Sequence, residues 1–463
     1  MLAPATPAGD EVQQSLYAKR QKIYPREVHG LFAVLRISAV LTLLGIFYGL
    51  PWLRWNGHQA VLFDLPARKF HLFGLTLWPQ DFILLAALLI IAALGLFFFT
   101  ALAGRLWCGY ACPQTVWTEV FLWMEHALEG DRLQQMKLDK SPMTWRKFRI
   151  KASKHALWLA FSAFTGFTFV AYFTPVADLL HRLVTLDLGP WETFWLVFYG
   201  FATYGNAGWM REQVCLYMCP YARFQSAMFD DSTLIISYDD KRGEPRGSRK
   251  RGTDSLRAGL GDCIDCSMCV QVCPTGIDIR KGLQYECIGC AACIDACNDV
   301  MDKMGYAPGL IRYTTHNALR GRPSSILRPR LFVYGGLLSA AIAAFAWILL
   351  ARVPLELEVM HDRNRLYRET DAGLIENVYT LDIVNMDDRR HAYTLRAEGI
   401  EGLIVETDPP EIEADAGEMK KIPMRLRADG ARLSGRSNKV RLLLTARDDP
   451  RLTASEETRF LGP

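Results

Sequence analysis

The chain has 463 residues, enough for two or three domains, and its 53 lysines and arginines nearly balance 49 acidic residues, for a net charge of +4. That balance gives no global reason for a nucleic-acid partner, and a mean hydropathy of +0.06 is high for a water-soluble protein. All 12 cysteines lie between Cys108 and Cys297 in tight clusters, which reads as metal binding rather than as the dispersed disulfides of a small secreted framework.

Residues 1–30 are polar, with Lys19, Arg20, Lys22 and Arg26. They do not read as a cleaved signal peptide, because the apolar run that follows is too long and no small-residue cleavage pattern follows it. Five runs are candidates to span a bilayer, which takes roughly 20 apolar residues: 31–50, 82–103, 156–174, 192–209 and 331–351. The second and fifth are the most apolar. The fourth carries tyrosines, a threonine and Asn206, and a buried helix is its alternative. Arg36 stands near the start of the first run, where its side chain can snorkel.

Basic residues set the expected orientation. Loop 104–155 carries nine Lys/Arg, loop 51–81 three and loop 176–191 one, Arg182; segment 210–330 is rich in them. The N-terminus and the segments after spans two and four are therefore expected in the cytoplasm, and the tail in the periplasm of a bacterial inner membrane. Every cysteine then stands on the reducing side. The patch Lys241-Arg242 with Arg249-Lys250-Arg251 reads as attraction to anionic lipid headgroups.

Trp107-Cys108-Gly109-Tyr110-Ala111-Cys112-Pro113 follows the second run, and Cys215-Leu216-Tyr217-Met218-Cys219-Pro220 follows the fourth. Cysteines four apart share a helix face, although the proline leaves the local conformation open. The matching contexts suggest an internal repeat of spans one–two and three–four, whose symmetric packing would bring Cys108, Cys112, Cys215 and Cys219 to one site. Four soft thiolates suit Cu(I), zinc or a further iron–sulfur centre, with Met210 and Met218 near enough in sequence to add thioethers. Buried free thiols packing as small apolar groups, or a structural metal clip, are the alternative. Glu119, Glu125 and His126 follow the first pair and read equally as proton-passing groups or as the polar face of an interfacial helix.

Residues 263–274 spell C-x2-C-x2-C-x3-C-P, and 287–297 repeat the cysteine spacing. This is the bacterial two-cluster ferredoxin pattern, in which the fourth cysteine of each run closes the other cluster. Cys263, Cys266, Cys269 and Cys297 are thus expected to hold one [4Fe-4S] cluster, and Cys287, Cys290, Cys293 and Cys273 the other. Two four-cysteine zinc sites are the alternative, with a spacing unusual for them. Asn298 stands where a proline often follows the last cysteine, a change expected to loosen that corner without removing a ligand.

From about residue 354 the texture alternates with period two, as in 355–359, 377–384, 393–396 and 439–444, with turns such as Asp408-Pro409-Pro410. An immunoglobulin-sized β-sandwich is expected, with a docking role and with His361 and His391 at its surface. The whole reads as a membrane α-helical bundle of about five spans with a cytoplasmic two-cluster ferredoxin-like insert and a C-terminal all-β sandwich. The expected boundaries are 1–30, 31–229, 230–329, 330–352 and 353–463.

This combination resembles the FixG/CcoG (RdxA) family of cbb3-type cytochrome oxidase accessory proteins over about residues 20–460. The individual motifs are shared with the NapH and NosR polyferredoxins. The tail separates the chain from NapH, and the lack of a long outer flavin-binding domain separates it from NosR. The resemblance implies a cupric reductase that makes Cu(I) for oxidase assembly. Cys108, Cys112, Cys215 and Cys219 would then be the copper site, copper would be substrate or transient ligand, and a copper chaperone or exporter and oxidase assembly factors would be partners. Two other functions fit the same motifs: a quinol-oxidising polyferredoxin that feeds another enzyme, and an assembly scaffold whose clusters sense redox state or hold the fold.

Overall fold

The computed structural model describes residues 22–251, 259–362, 366–387 and 389–463, so Lys19 and Arg20 lie outside the described residues. Among the described residues, three helical segments are long and apolar enough to cross a membrane: Leu31–Trp52, Pro79–Ala103 and Pro329–Leu350. They are apolar around the whole circumference and leave most of their side chains uncovered, as lipid-facing helices do. The chain is a membrane protein.

The third and fourth expected spans take a different form. The third lies within a 26-residue helix, Trp145–Val170, whose first turns carry Arg146, Lys147, Arg149, Lys151 and Lys154. The fourth is the helix Pro190–Thr203, which passes into a π-helix at Tyr204–Met210 and, after Arg211 at φ 45°, a second at Val214–Met218. Widened π-turns of this kind tend to mark functional positions.

The chain divides into two compact units. The first comprises Met1–Gly49, Leu96–Val170 and Leu186–Tyr334. Its ferredoxin-like part is backed by an antiparallel strand pair, Ile235–Tyr238 with Ile311–Thr314. Each cysteine triplet leads into a helix, Met268–Gln271 or Ala292–Met304. The residues before those helices repeat one backbone signature: Asp265 (φ 52°) and Ser267 (φ 57°) in the first, Gly289 (φ 69°) and Ala291 (φ 61°) in the second. Left-handed residues spaced this way gather backbone N–H groups into a concavity suited to an anionic group, a feature of many iron–sulfur sites.

Several expectations change in this unit. Arg36 does not snorkel: it is 9% exposed and donates to the Cys290 carbonyl at 2.6 Å. Asp295 accepts from the Ala33 amide at 2.7 Å and so caps the first span, whose opening amides have no partner within their own helix. The corner at Asn298 is tied, since its side chain accepts from the Gly309 amide at 2.9 Å. In the basic patch Arg242 pairs with Asp262 at 2.6 Å and Arg249 donates to Tyr306 at 2.9 Å, so these two serve the domain itself. Lys241, Lys250 and Arg251 are exposed.

The second unit comprises Leu50–Gly95, Ala171–Thr185 and Gly335–Pro463. Short strands absent from the sequence reading fold the loop after the first span: Val61–Asp64, Lys69–Leu72 and Leu75–Leu77 form one small sheet. Gln59 donates to the Ala171 carbonyl at 2.7 Å, and the Phe63 amide donates to Tyr172 at 2.7 Å. Arg352 pairs with Asp81 at 2.7 Å.

The tail is the expected sandwich. One sheet runs Ile404–Thr407, Met419–Asp429, Leu374–Asn385, Leu355–His361, with Arg368–Glu369 also on Leu374–Asn385; the other runs Ile412–Ala414, His391–Glu398, Ser437–Ala446, Thr453–Leu461. Alternate residues Tyr379, Leu381 and Ile383 meet Leu442, Leu444 and Phe460 in the core. Each fully buried leucine or isoleucine contributes about 1.5–3 kcal/mol. His391 is not a surface residue as expected. It is 4% exposed and lies 2.9 Å from Asp387 and 2.8 Å from Asp448. His361 is half-buried against Tyr379 and 3.2 Å from Asn377.

Candidate iron–sulfur and thiol site

The eight ferredoxin cysteines line two separate cavities. Cys263, Cys266, Cys269 and Cys297 open on one, beside Tyr238, Arg280 and Met301. Cys273, Cys287, Cys290 and Cys293 open on the other, beside Ile236, Thr275 and Ile279, and Cys269 reaches this wall as well. Burial, reinforced by neighbouring thiols, pushes Cys297 up to about 12 and Cys293 well above the ordinary thiol range. Burial likewise raises Cys290 to about 12, against the pull of Arg36. Such thiols ionise only against a metal, which displaces their protons.

Among the described residues no three His, Cys, Asp or Glu groups are gathered tightly enough for one ion. A tetrahedral zinc with bonds of about 2.3 Å would need its sulfurs within roughly 4 Å of one another. Four sulfurs around a cavity, beside a loop whose repeated left-handed residues suit an anionic group, fit a cubane better than that ion.

The Cys287–Cys290 loop is held from several sides. Arg105 donates to the Cys287 carbonyl at 3.0 Å, also to Tyr285, and to Ala222 at 3.0 Å. Tyr313 donates to the Gly289 carbonyl at 2.7 Å. Gly109, inside the first C-x-x-x-C-P motif, packs directly on this loop. A Cβ there would stand 2.7 Å from the Gly289 oxygen and 2.9 Å from the Cys290 Cα, closer than real Cβ atoms come.

The motif cysteines do not share a helix face. Cys108 lies in the helix Leu106–Tyr110, whereas Cys112 stands just before the next helix, Pro113–Glu129. Cys215 lies in the π-helix Val214–Met218, and Cys219 stands just before the helix Pro220–Ala227. Both prolines occupy the first helical position, where the missing N–H costs nothing. The two motifs do come together. Burial raises Cys108 to about 12, with Cys112 and Cys215 adding to the rise. Burial raises Cys215 to about 11, with Cys112 and Cys219 adding to it. The Cys108 thiol donates to Gln225 at 3.6 Å, and Gln225 is held by the Gly104 carbonyl at 3.1 Å. Met218 is 58% exposed, turned out rather than packed as a buried thioether.

Glu125 is not on an interfacial polar face. It is 1% exposed, 2.6 Å from Arg211, 3.2 Å from Lys154 and 3.1 Å from Lys22. Lys154 also meets Glu129 at 2.7 Å, and Lys151 bridges Glu129 and Asp139. The sequence reading passed over Glu129, Lys151, Lys154 and Arg211; the trace it could have used is Glu125 and Glu129, four apart and so on one face of their helix. Glu119 and His126 line a different space, a cavity of about 220 Å³ that reaches both Cys215 and Cys290.

Comparison with known proteins agrees with this anatomy. Residues 210–316 match the family described as a 4Fe-4S dicluster domain, and 85–129 match a 4Fe-4S binding domain that includes the first C-x-x-x-C-P motif. Residues 345–463 match the IG-like fold at the C-terminal of FixG. The chain is 41% identical over 426 residues to the nitrogen fixation protein FixG of Rhizobium meliloti, covering 84% of this chain and 81% of that one. It is 40% identical over 451 residues to protein RdxA of Cereibacter sphaeroides, covering 94% and 91%. A crystal structure of a FixG-related protein from Vibrio parahaemolyticus is 30% identical, covering 23% of this chain and 95% of that one, with a TM-score of 0.22.

Proposed function

The chain belongs to the FixG/RdxA family of iron–sulfur proteins, and on that premise we propose that it reduces Cu(II) to Cu(I) at the bacterial inner membrane for assembly of a cbb3-type cytochrome oxidase. The observation that carries this reading is the contact of Gly109 with Gly289 and Cys290. It makes the first thiol motif and one ferredoxin loop immediate neighbours.

Cys263, Cys266, Cys269 and Cys297 hold one [4Fe-4S] cluster; Cys273, Cys287, Cys290 and Cys293 hold the other. When bound, these clusters supply one-electron transfer. Arg36, Arg105 and Tyr313 keep the second loop against the thiol motif. Cys108, Cys112, Cys215 and Cys219 receive copper as substrate. Each Cu(II) takes one electron to become Cu(I), and its binding displaces thiol protons. Soft sulfur ligands favour the lower oxidation state, so reduction and retention go together. Cu(I) then leaves to a copper chaperone or exporter. The basic loops support a cytoplasmic thiol site and a periplasmic sandwich, and the exposed Lys241, Lys250 and Arg251 rest on anionic lipid.

The test uses protein prepared without oxygen, reduced, and freed of reductant before Cu(II) is added. Replacing Cys108 and Cys215 together by serine lowers Cu(I) formation by about a hundredfold, while both cluster signals persist in electron paramagnetic resonance. Undiminished Cu(I) formation with both signals present overturns the copper assignment.

A further inference from the structure

The 220 Å³ cavity shared by Cys215 and Cys290 has a use that the copper reading leaves open. One wall is the start of the first membrane span, Ala33, Arg36 and Ile37; the others mix apolar side chains such as Leu122 and Trp123 with the basic Arg26 and Arg211 and with Glu119, His126 and Glu212. We propose that this cavity binds the headgroup of a lipid-soluble quinol, the two-electron donor to this chain.

Two observations favour that occupant. The apolar part of the lining meets a membrane helix at Ala33 and Ile37, where an isoprenoid tail can lie in lipid while the ring enters the cavity. The acidic and imidazole groups on the wall suit a ligand that gives up protons and would be wasted on an acyl chain. Oxidation of a hydroquinone to the quinone releases two protons and two electrons. Glu119, Glu212 and His126 are placed to take the protons. The electrons leave singly to one-electron acceptors of the iron–sulfur class on the Cys290 side. This last point rests on the proposal that Cys273, Cys287, Cys290 and Cys293 hold a cluster; binding of the headgroup does not.

The experiment photolabels the cluster-loaded protein in lipid nanodiscs with an azido-substituted short-tailed benzoquinone and maps the label by mass spectrometry. Label is expected within 114–126 or 272–292, and excess unlabelled quinol removes it. Thr118→Trp, which fills the cavity, weakens labelling by about tenfold, while Cys108→Ser, which lies outside the cavity lining, keeps it. Labelling thus stands or falls apart from copper reduction. Label confined to lipid-facing residues, label that unlabelled quinol does not displace, or a phospholipid retained in the cavity against excess quinol each overturns the proposal. If Thr118→Trp does not load its clusters, the wild-type map and its competition by quinol decide.

Discussion

Glu125 shows how much one side chain carries in the inner unit. Burial alone would raise its pKa, but Arg211, Lys22 and Lys154 outweigh burial and hold it down at about 2 against an ordinary 4.5. The attraction therefore exceeds the desolvation penalty, which is the condition for a buried ion pair to hold. Glu125→Gln leaves Arg211 and Lys154 short of a counter-charge, and the expected loss is about 3 kcal/mol. The sign of the pH dependence follows from the lowered pKa. The carboxylate's contribution is complete above 4.5 and fades as pH falls towards 2. The stability gap between wild type and Glu125→Gln, read from thermal unfolding in detergent, is thus flat from neutral pH down to 4.5 and narrows only below it. A gap that widens on acidification contradicts this account.

The element that joins the two cysteine-bearing segments is the short helix carrying Cys108 and Gly109, pressed on the Gly289–Cys290 backbone. Gly109→Ala forces these segments apart and is expected to destabilise the protein by about 1–3 kcal/mol. The melting temperature falls by a few degrees, and the resonance signal of the adjoining cluster shifts while the other stays. A melting curve and both signals identical to wild type would mean that the contact does not couple the segments. This contact was not legible in the sequence, because a glycine between two cysteines records nothing of what presses on it. The cysteine spacing, by contrast, pointed to the two groups that line separate cavities, since ligand geometry is written in local intervals. The same holds for the sandwich, whose strands alternate. Arg36 and His391 were misjudged because each is buried by a partner distant in sequence: Arg36 by the Cys290 carbonyl, His391 by Asp448. The small sheet of 61–77 escaped notice because its strands are three or four residues long, too short for period two to stand out.

At the scale of the whole chain the open quantity is how many times it crosses the bilayer. Three helical segments meet the requirements of length and apolarity, and a count of three or five leaves the loop after the first span and the tail on the same side. The two counts differ at residues 171–185. That segment is hydrogen-bonded to the loop after the first span: Gln59 reaches Ala171 and Val176, and Phe63 reaches Tyr172. Hydrogen bonds of 2.7–3.0 Å cannot form through a membrane, so both segments lie on one side. On that reading the helix Trp145–Val170 would cross, and at 1.5 Å per residue its 26 residues reach about 39 Å, beyond the roughly 30 Å hydrocarbon core. Its Lys and Arg residues fall in the first turns, where they can sit at the inner interface. Five crossings are the outcome expected on this reading. Single cysteines placed at the exposed positions Ala67, Arg182, Lys250 and Ala416 test this with a membrane-impermeant maleimide. Ala67→Cys, Arg182→Cys and Ala416→Cys are labelled in cells whose outer membrane alone is opened. Lys250→Cys, like the native cysteines of the wild type, reacts only after lysis. Labelling of Ala67→Cys and Ala416→Cys without Arg182→Cys would leave three crossings and require the bonds of Gln59 and Phe63 to be absent in the membrane.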